Sequence, residues 1–321
     1  MKILVTGGAG YIGSVTVKRL IEEGHDITVF DNLVYGHATS VSCTLIQGEL
    51  TDKESLFEKL KFKQFDAVIH FAAYAYPGES MSNPHKYFYY NLVGGMNILE
   101  FMREQKIPYI VFSSSCAVFG NPKSLPIKED DDKQPESVYG ESKLMFEKML
   151  FWYEKVFGIK HINLRYFNAA GATLDNTLGE DHDPESHLIP LAMRSASKST
   201  PFTLFGDDYP TPDGTCVRDY IHVEDLAEAH SKALVYLSRV GKSDSFNLGT
   251  GKGCSNREVL SMIEKVSKKK ILVQVHPRRP GDPPIVYADK SKAKLILGFN
   301  PLHSDLENII TTAWRWYSRN R

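Results

Sequence analysis

The chain has 321 residues, 42% hydrophobic and 24% charged, a balance that excludes disorder, collagen and coiled coil as whole-chain descriptions and suits one large domain with an appendage, or two. Its 38 basic and 39 acidic side chains leave a formal charge of −1, so no global positive field draws it to nucleic acid or to an anionic membrane.

Residues 3–5, 27–30, 67–71 and 109–112 are short, continuous apolar runs, the pattern of strands buried on both faces. Between them Val15, Leu20 and Ile21, then Leu56, Phe57 and Leu60, then Leu92, Met96, Leu99 and Met102 recur at helical spacing. Strand and helix alternate. This predicts an α/β fold, a Rossmann-type doubly wound parallel sheet with right-handed crossovers, whose ligands sit beyond the carboxyl ends of the strands. After about Asn168 the alternation weakens, and the turn-rich stretches 206–214 and 277–284 read as loops shaped around a ligand, so a smaller mixed C-terminal substrate domain is expected there. Lys268 to Lys270 reads as a solvated helix end. Cys43, Cys116, Cys216 and Cys254 are scattered without CxxC spacing, which argues against a zinc ribbon or a disulfide-stapled secreted domain; no metal is expected. After Lys2 only three apolar residues precede the first turn, too few for a signal peptide or a membrane span, and the expected location is the cytoplasm.

TGGAGYIG at residues 6–13 follows the first strand and opens the first helix. Gly7 suits a tight turn, Gly10 admits a pyrophosphate close to the backbone, and Gly13 permits close helix packing, while the helix N-terminus offers unpaired N–H groups to negative charge. The competing reading is a tight turn without a ligand. Asp31 ends the second strand, where a carboxylate accepts hydrogen bonds from ribose hydroxyls and repels a 2′-phosphate, which favours NAD over NADP; its competing reading is a turn or helix cap before Asn32.

YGESK at residues 139–143 begins a helical pattern, so Tyr139 and Lys143, four apart, share one face. A nearby ammonium stabilises a phenolate and brings tyrosine into range as a base. Ser115, just beyond the fourth apolar run, projects at the carboxyl edge of the sheet and can hydrogen-bond the same reacting oxygen. With a nicotinamide cofactor these three imply alcohol-to-ketone redox chemistry and leave the substrate open. Alone, a Tyr and Lys at this spacing are more often a surface pair.

With these motifs in place the chain resembles the extended short-chain dehydrogenase/reductase family and, within it, the UDP-glucose (UDP-galactose) 4-epimerases. Besides TGGAGYIG and YGESK the likeness includes HFAA (70–73), GES (78–80), SSSCAVFG (113–120), LRYFNAAGA (164–172), GEDHDPESHLIP (179–190), FGDDYPTPDGTCVRDYIHVEDLA (205–227) and RRPGD (278–282). It implies that Tyr139 is the base, Lys143 its electrostatic partner and ribose contact, and Ser115 a proton relay. It places Tyr11, Ile12, Asp31, Asn32, Glu49, Leu50, Phe71, Ala72, Ser113 and Tyr166 around NAD, with the glycines. It places Ser115, Asn168, His187, Leu188, Thr203, Phe205, Arg218, Tyr220, Arg279, Asp282 and Val286 around a UDP-sugar, the arginines meeting diphosphate as forked donors. The competing reading of Arg218 and Arg279 is ion pairing between domains. Residues 1–168, with a return segment near 215–235, would then form the NAD-binding domain and residues 169–321 the UDP-sugar domain.

In enzymes of this kind hydrogen leaves the sugar C4 for NAD, the ketone turns over within the pocket, and the same hydrogen returns to the opposite face. Three positions depart from the usual pattern: Glu49 replaces an aspartate, Tyr74 stands where some members have lysine, and Tyr90 stands where asparagine often precedes Asn91. A dehydratase would need an Asp-Glu pair after the active-site serine, where Cys116 and Ala117 stand, and a non-catalytic sensor would commonly have lost Tyr139 or Lys143. By the resemblance Val286 stands where related enzymes carry a tyrosine or a smaller residue beside the sugar's 2-substituent, and a small side chain there implies space for an N-acetyl group and UDP-N-acetylglucosamine as a further substrate; the competing reading is that Val286 fills core. Ala75-Tyr76, Gly78-Glu79-Ser80 and Ser115-Cys116-Ala117 also resemble plant UDP-arabinose 4-epimerases and leave UDP-xylose open. The resemblance favours a homodimer; Phe88, Met96, Phe101, Met149 and Trp152 are candidates for an apolar helix pair joining two subunits, with core packing the competing and default reading of each.

Overall fold

The computed structural model describes residues 1–279 and 281–320; Pro280, within the RRPGD motif, lies outside the described residues. In chain order the strands are β1 (Lys2–Thr6), β2 (Asp26–Asp31), β3 (Thr44–Gln47), β4 (Ala67–His70), β5 (Tyr109–Ser115), β6 (Lys160–Tyr166) and β7 (Asn168–Ala170), followed by β8 (Pro201–Phe205), β9 (Val217–Arg218), β10 (Tyr220–His222), β11 (Asp244–Leu248), β12 (Cys254–Ser255), β13 (Leu272–His276) and β14 (Ile285–Val286). The helices are α1 (Tyr11–Glu22), α2 (Lys53–Leu60), α3 (Pro77–Ser82), α4 (Pro84–Phe88), α5 (Gly94–Gln105), α6 (Val138–Phe157), α7 (Leu188–Lys198), α8 (Val223–Val240), α9 (Asn256–Ser267), α10 (Ser291–Leu297) and α11 (Leu306–Asn320).

Seven strands form one parallel sheet in the order β3-β2-β1-β4-β5-β6-β11. The apolar run in β1 explains why both faces are covered: Ile3 and Val5 join a core with Val17 and Leu20 of α1 and Leu226 and Leu234 of α8. Leu4 joins the opposite core with Leu56, Leu99, Phe101 and Met102. Met96, read at the same helical spacing, faces outward at 42% exposed. Because the chain winds outward from β1 to β3 and then restarts at β4, the carboxyl edge between β1 and β4 is the switch point where such sheets take ligands.

Beyond β6 the short strands pair among themselves, β7 with β10, β8 with β13, and β9 between β12 and β14. Ile189 and Met193 of α7, Ile263 of α9 and Ile310 of α11 close a third core with Leu204 of β8. Most of the segment expected to return near 215–235 is in α8, which packs along α1, and β11 beyond it also belongs to the large sheet. Among the described residues no helix is long and apolar enough to cross a membrane.

Candidate active site

The turn from β1 to α1 is built by close main-chain approach. Gly7 has φ +71°, and a Cβ there would lie 2.5 Å from the Ala72 nitrogen; one on Gly13 would lie 2.3 Å from the Gly7 carbonyl oxygen. No larger residue fits either position without moving backbone. Gly10 caps α1 without a side-chain hydrogen bond, so no side chain occupies the N–H groups of the first turn. Asp31, at the end of β2, accepts the Ala9 N–H at 3.0 Å and the Leu33 N–H at 2.9 Å. The carboxylate therefore does cap the turn, its competing reading, and its remaining lone pairs stay available to a ribose. Asn32 donates to Glu49 at 2.9 Å, so the longer carboxylate that replaces aspartate is tied to the same rim.

A cavity of about 430 Å³ opens from this turn across the carboxyl ends of β1, β4 and β5, within the usual range for small-molecule sites. Its wall includes every residue expected around NAD, namely Gly7, Gly10, Tyr11, Ile12, Gly13, Asp31, Asn32, Glu49, Leu50, Phe71, Ala72, Ser113, Tyr139, Lys143 and Tyr166. Ser115, Asn168 and His187 line it as well. These groups fit a dinucleotide: glycine backbone for the phosphates, a helix N-terminus, and a carboxylate at the far end of the turn.

Ser137 caps α6 by accepting the Gly140 N–H at 3.1 Å, and the Tyr139 N–H donates to buried Ser80 at 3.1 Å, which fixes the first turn of the helix against α3. Lys143, one turn on, donates to the Ser113 carbonyl at 2.8 Å and lies 5.8 Å from the centre of the Tyr139 ring. The Ser113 hydroxyl bonds that of Tyr166. Burial pushes the Tyr139 phenol up to about 12, against the pull of a Ser115 hydrogen bond. Burial likewise pushes the Lys143 ammonium down to about 7, with Glu147 acting in the opposite direction. The expected electrostatic partnership of Lys143 with the phenol rests on the 5.8 Å approach, and in the protein alone burial dominates the shift of each group. Burial disfavours the charged form of each group.

The other residues assigned to a sugar nucleotide stand outside this wall. Arg218 pairs with Asp282 at 3.4 Å, and the Arg279 guanidinium lies 4.1 Å above the Phe205 ring, two residues along β8 from Thr203. Val286 is in register with Arg218 across β14 and β9, and Tyr220 with Asn168 across β10 and β7. Cys116 joins the two sets: it lines the cavity, packs in the cluster that contains Val286 and Phe167, and feels the charge of Arg218. Leu188 follows His187 as the first residue of α7.

The cavity wall also takes Tyr35, Tyr74, Tyr76, Tyr90, Glu180 and His182, none of them read as a site residue. Tyr74 and Tyr90 had stood out only as departures, and Glu180 and His182 only within a longer motif. The Lys86 ammonium lies 4.1 Å over the Tyr74 ring, so a cation from α4 stands close to the position where other members carry lysine.

Residues 3–249 match the NAD dependent epimerase/dehydratase family. A UDP-glucose 4-epimerase of Lactobacillus helveticus is 48% identical over 320 residues, covering 99% of this chain and 97% of that enzyme. The crystal structure of UDP-glucose 4-epimerase from Brucella ovis in complex with NAD superposes with a TM-score of 0.96 at 45% identity, covering 98% of each chain. The Bifidobacterium longum UDP-glucose 4-epimerase in complex with NAD+ and UDP gives 0.94 at 34% identity, over 100% of this chain and 99% of that one. The likeness runs through the glycine turn, the large sheet and the small strands alike, and the chain belongs to the NAD dependent epimerase/dehydratase family.

Proposed function

We propose that the protein interconverts UDP-glucose and UDP-galactose by inverting C4 through a transient 4-keto sugar, with NAD retained as a prosthetic group. The observation that carries this is the placement of Tyr139, a buried phenol that shares the cavity wall with Ser115, Lys143 and the glycine turn, with the Lys143 ammonium 5.8 Å from its ring centre. When bound, oxidised NAD supplies a reversible acceptor for two electrons and one hydrogen from the sugar carbon, and its nicotinamide adds a positive charge to the pocket.

The chain's own groups handle the proton. Tyr139 takes it from the 4-hydroxyl and returns it to the 4-oxygen once the sugar has turned, with Ser115 in the same wall to hydrogen-bond the reacting oxygen. Lys143, whose acidity lies near neutrality, balances the charge when the phenol is ionised. The Arg218 and Arg279 guanidiniums bind the diphosphate, an anchor that leaves the hexose free to rotate. Residues 1–168 with the α8 return hold the cofactor, and residues 169–321 hold the sugar nucleotide. Cys116 and Ala117 follow Ser115, so the acid and base that an elimination requires are not supplied there.

The test is to incubate purified enzyme with UDP-galactose, without added NAD, and to resolve the 4-epimers. Formation of UDP-glucose is expected; no conversion by NAD-loaded protein overturns the reading. A second substrate, UDP-N-acetylgalactosamine, is favoured by Val286, which shares a cluster with the cavity-lining Cys116 and Phe167. Val286→Tyr should suppress its turnover while sparing UDP-galactose. We further assign a homodimer through α5 and α6, where Met96, Phe151 and Trp152 are exposed. Phe101 follows its core-packing reading: it is fully buried and takes no part in such a contact.

A further inference from the structure

The loop that leads into α7 carries two histidines and two glutamates whose side chains converge. Glu180, His182, Glu185 and His187 each offer one ligand atom, and the four atoms lie within 4.8 Å of one another. His182 Nδ1 is 3.3 Å from Glu180 Oε1 and 3.9 Å from Glu185 Oε2. His187 Nδ1 is 2.5 Å from Glu180 Oε1 and 3.5 Å from Glu185 Oε1. In a tetrahedral site with bonds of about 2.0–2.2 Å, neighbouring ligand atoms stand roughly 3.3–3.6 Å apart, so these spacings need only small side-chain adjustments to accept an ion.

Two features distinguish the cluster from an ordinary surface ion pair. The glutamate side chains are 10% and 1% exposed, so two carboxylates have been withdrawn from water side by side, an arrangement that calls for positive charge between them. His182 Nδ1 is buried and makes no well-formed hydrogen bond, although Glu180 Oε1 lies 3.3 Å away. A proton shared by His187 and Glu180 would answer the first carboxylate and leave this nitrogen unanswered, while Glu185 Oε1 accepts the Ser186 and His187 N–H groups at 2.7 and 2.8 Å and its Oε2 remains for an ion.

We propose that Glu180, His182, Glu185 and His187 form a binding site for a divalent cation of the zinc class. Imidazole with carboxylate in a four-coordinate cage suits zinc; magnesium and calcium prefer more oxygen ligands. The ion would act as a clamp. It would tie residues 180–187 into one unit at the head of α7, and that unit forms the part of the cavity wall made by Glu180, His182 and His187. The His182 ring meets Tyr11 of the glycine turn and Tyr76 edge-on, so the clamp would also fix the packing between the two halves of the cavity. The site does not depend on the identity of the sugar.

The test uses tag-free, NAD-loaded enzyme treated with chelator, dialysed against micromolar zinc chloride, and assayed for metal by atomic emission. One zinc per chain is expected, and cobalt in its place should give the strong visible bands of a four-coordinate ion. His182→Ala and the near-isosteric Glu185→Gln should each weaken zinc binding at least roughly tenfold, with far-ultraviolet circular dichroism confirming that they are folded. Wild-type enzyme that retains no zinc, or two folded variants that bind it as tightly as wild type, would overturn the proposal.

Discussion

On the sheet side of the cavity, main chain meets main chain: Gly7 lies against Ala72 and Gly13 against the Gly7 carbonyl, at distances that leave no room for a side chain. Across from it, charged side chains on two-residue strands and adjoining loops do the positioning, with Arg218 against Asp282 and Arg279 over Phe205. The proposed cofactor half is therefore set at Gly7 and Gly13 by sterics that leave no room for a side chain, and the proposed sugar half by side-chain interactions that can be exchanged one at a time.

Four measurements would break or sharpen that contrast. Tyr139→Phe lies where the halves meet and should have the largest effect, a loss of about 10²–10⁴ in kcat; NAD content, read from the absorbance of the released nucleotide, should stay near that of wild type. Gly13→Val pushes a branched side chain into backbone and should cost about 1–3 kcal/mol or more. It is expected to yield a chain with little bound NAD and a lower melting temperature that still binds UDP by calorimetry. Arg218→Met removes a charged donor worth about 1.5–3 kcal/mol and should raise KM some ten- to hundredfold at full NAD content. A parallel loss of NAD would show that the two halves are not separable.

The smallest effect concerns pH. Burial lowers Lys143 from its ordinary value to about 7 in the folded protein, so between pH 7 and the unfolded value near 10.4 the unfolded chain binds more protons at this residue. Its contribution to stability therefore rises with pH across that window, and the penalty is complete below pH 7. In cofactor-stripped protein, urea unfolding at several pH values should show wild type gaining on Lys143→Met as pH rises. Parallel curves would mean that the ammonium is not desolvated.

The cofactor half was legible because its signals are local. A glycine spacing directly after the apolar β1, an aspartate at the end of β2, and a tyrosine and lysine one turn apart can be read without knowing the tertiary structure. β6 was harder to read. Its sequence KHINLRY alternates with His161, Asn163 and Arg165, all buried, because Asn163 bonds Ser245 and Arg165 pairs with Glu147 on α6. Those partners, far along the chain, are what make buried polar residues tolerable in a central strand. The same limit applies to Tyr139: the sequence reveals its charged neighbour but not how much water both groups lose. Glu180 and His182 reach the cavity only because the loop before α7 folds back over Tyr11 and Tyr76.

The position of β11 at the end of the large sheet has a consequence for biosynthesis. Asp244 pairs with Ile162, and the chain between them must emerge from the ribosome before the seventh strand can be added. Until Leu248 is released, one flank of β6 presents bare amide and carbonyl groups, the kind of template on which nascent chains aggregate or recruit holdases. Translation arrest or truncation shortly before that point should therefore be far more harmful than the loss of a few residues from either terminus.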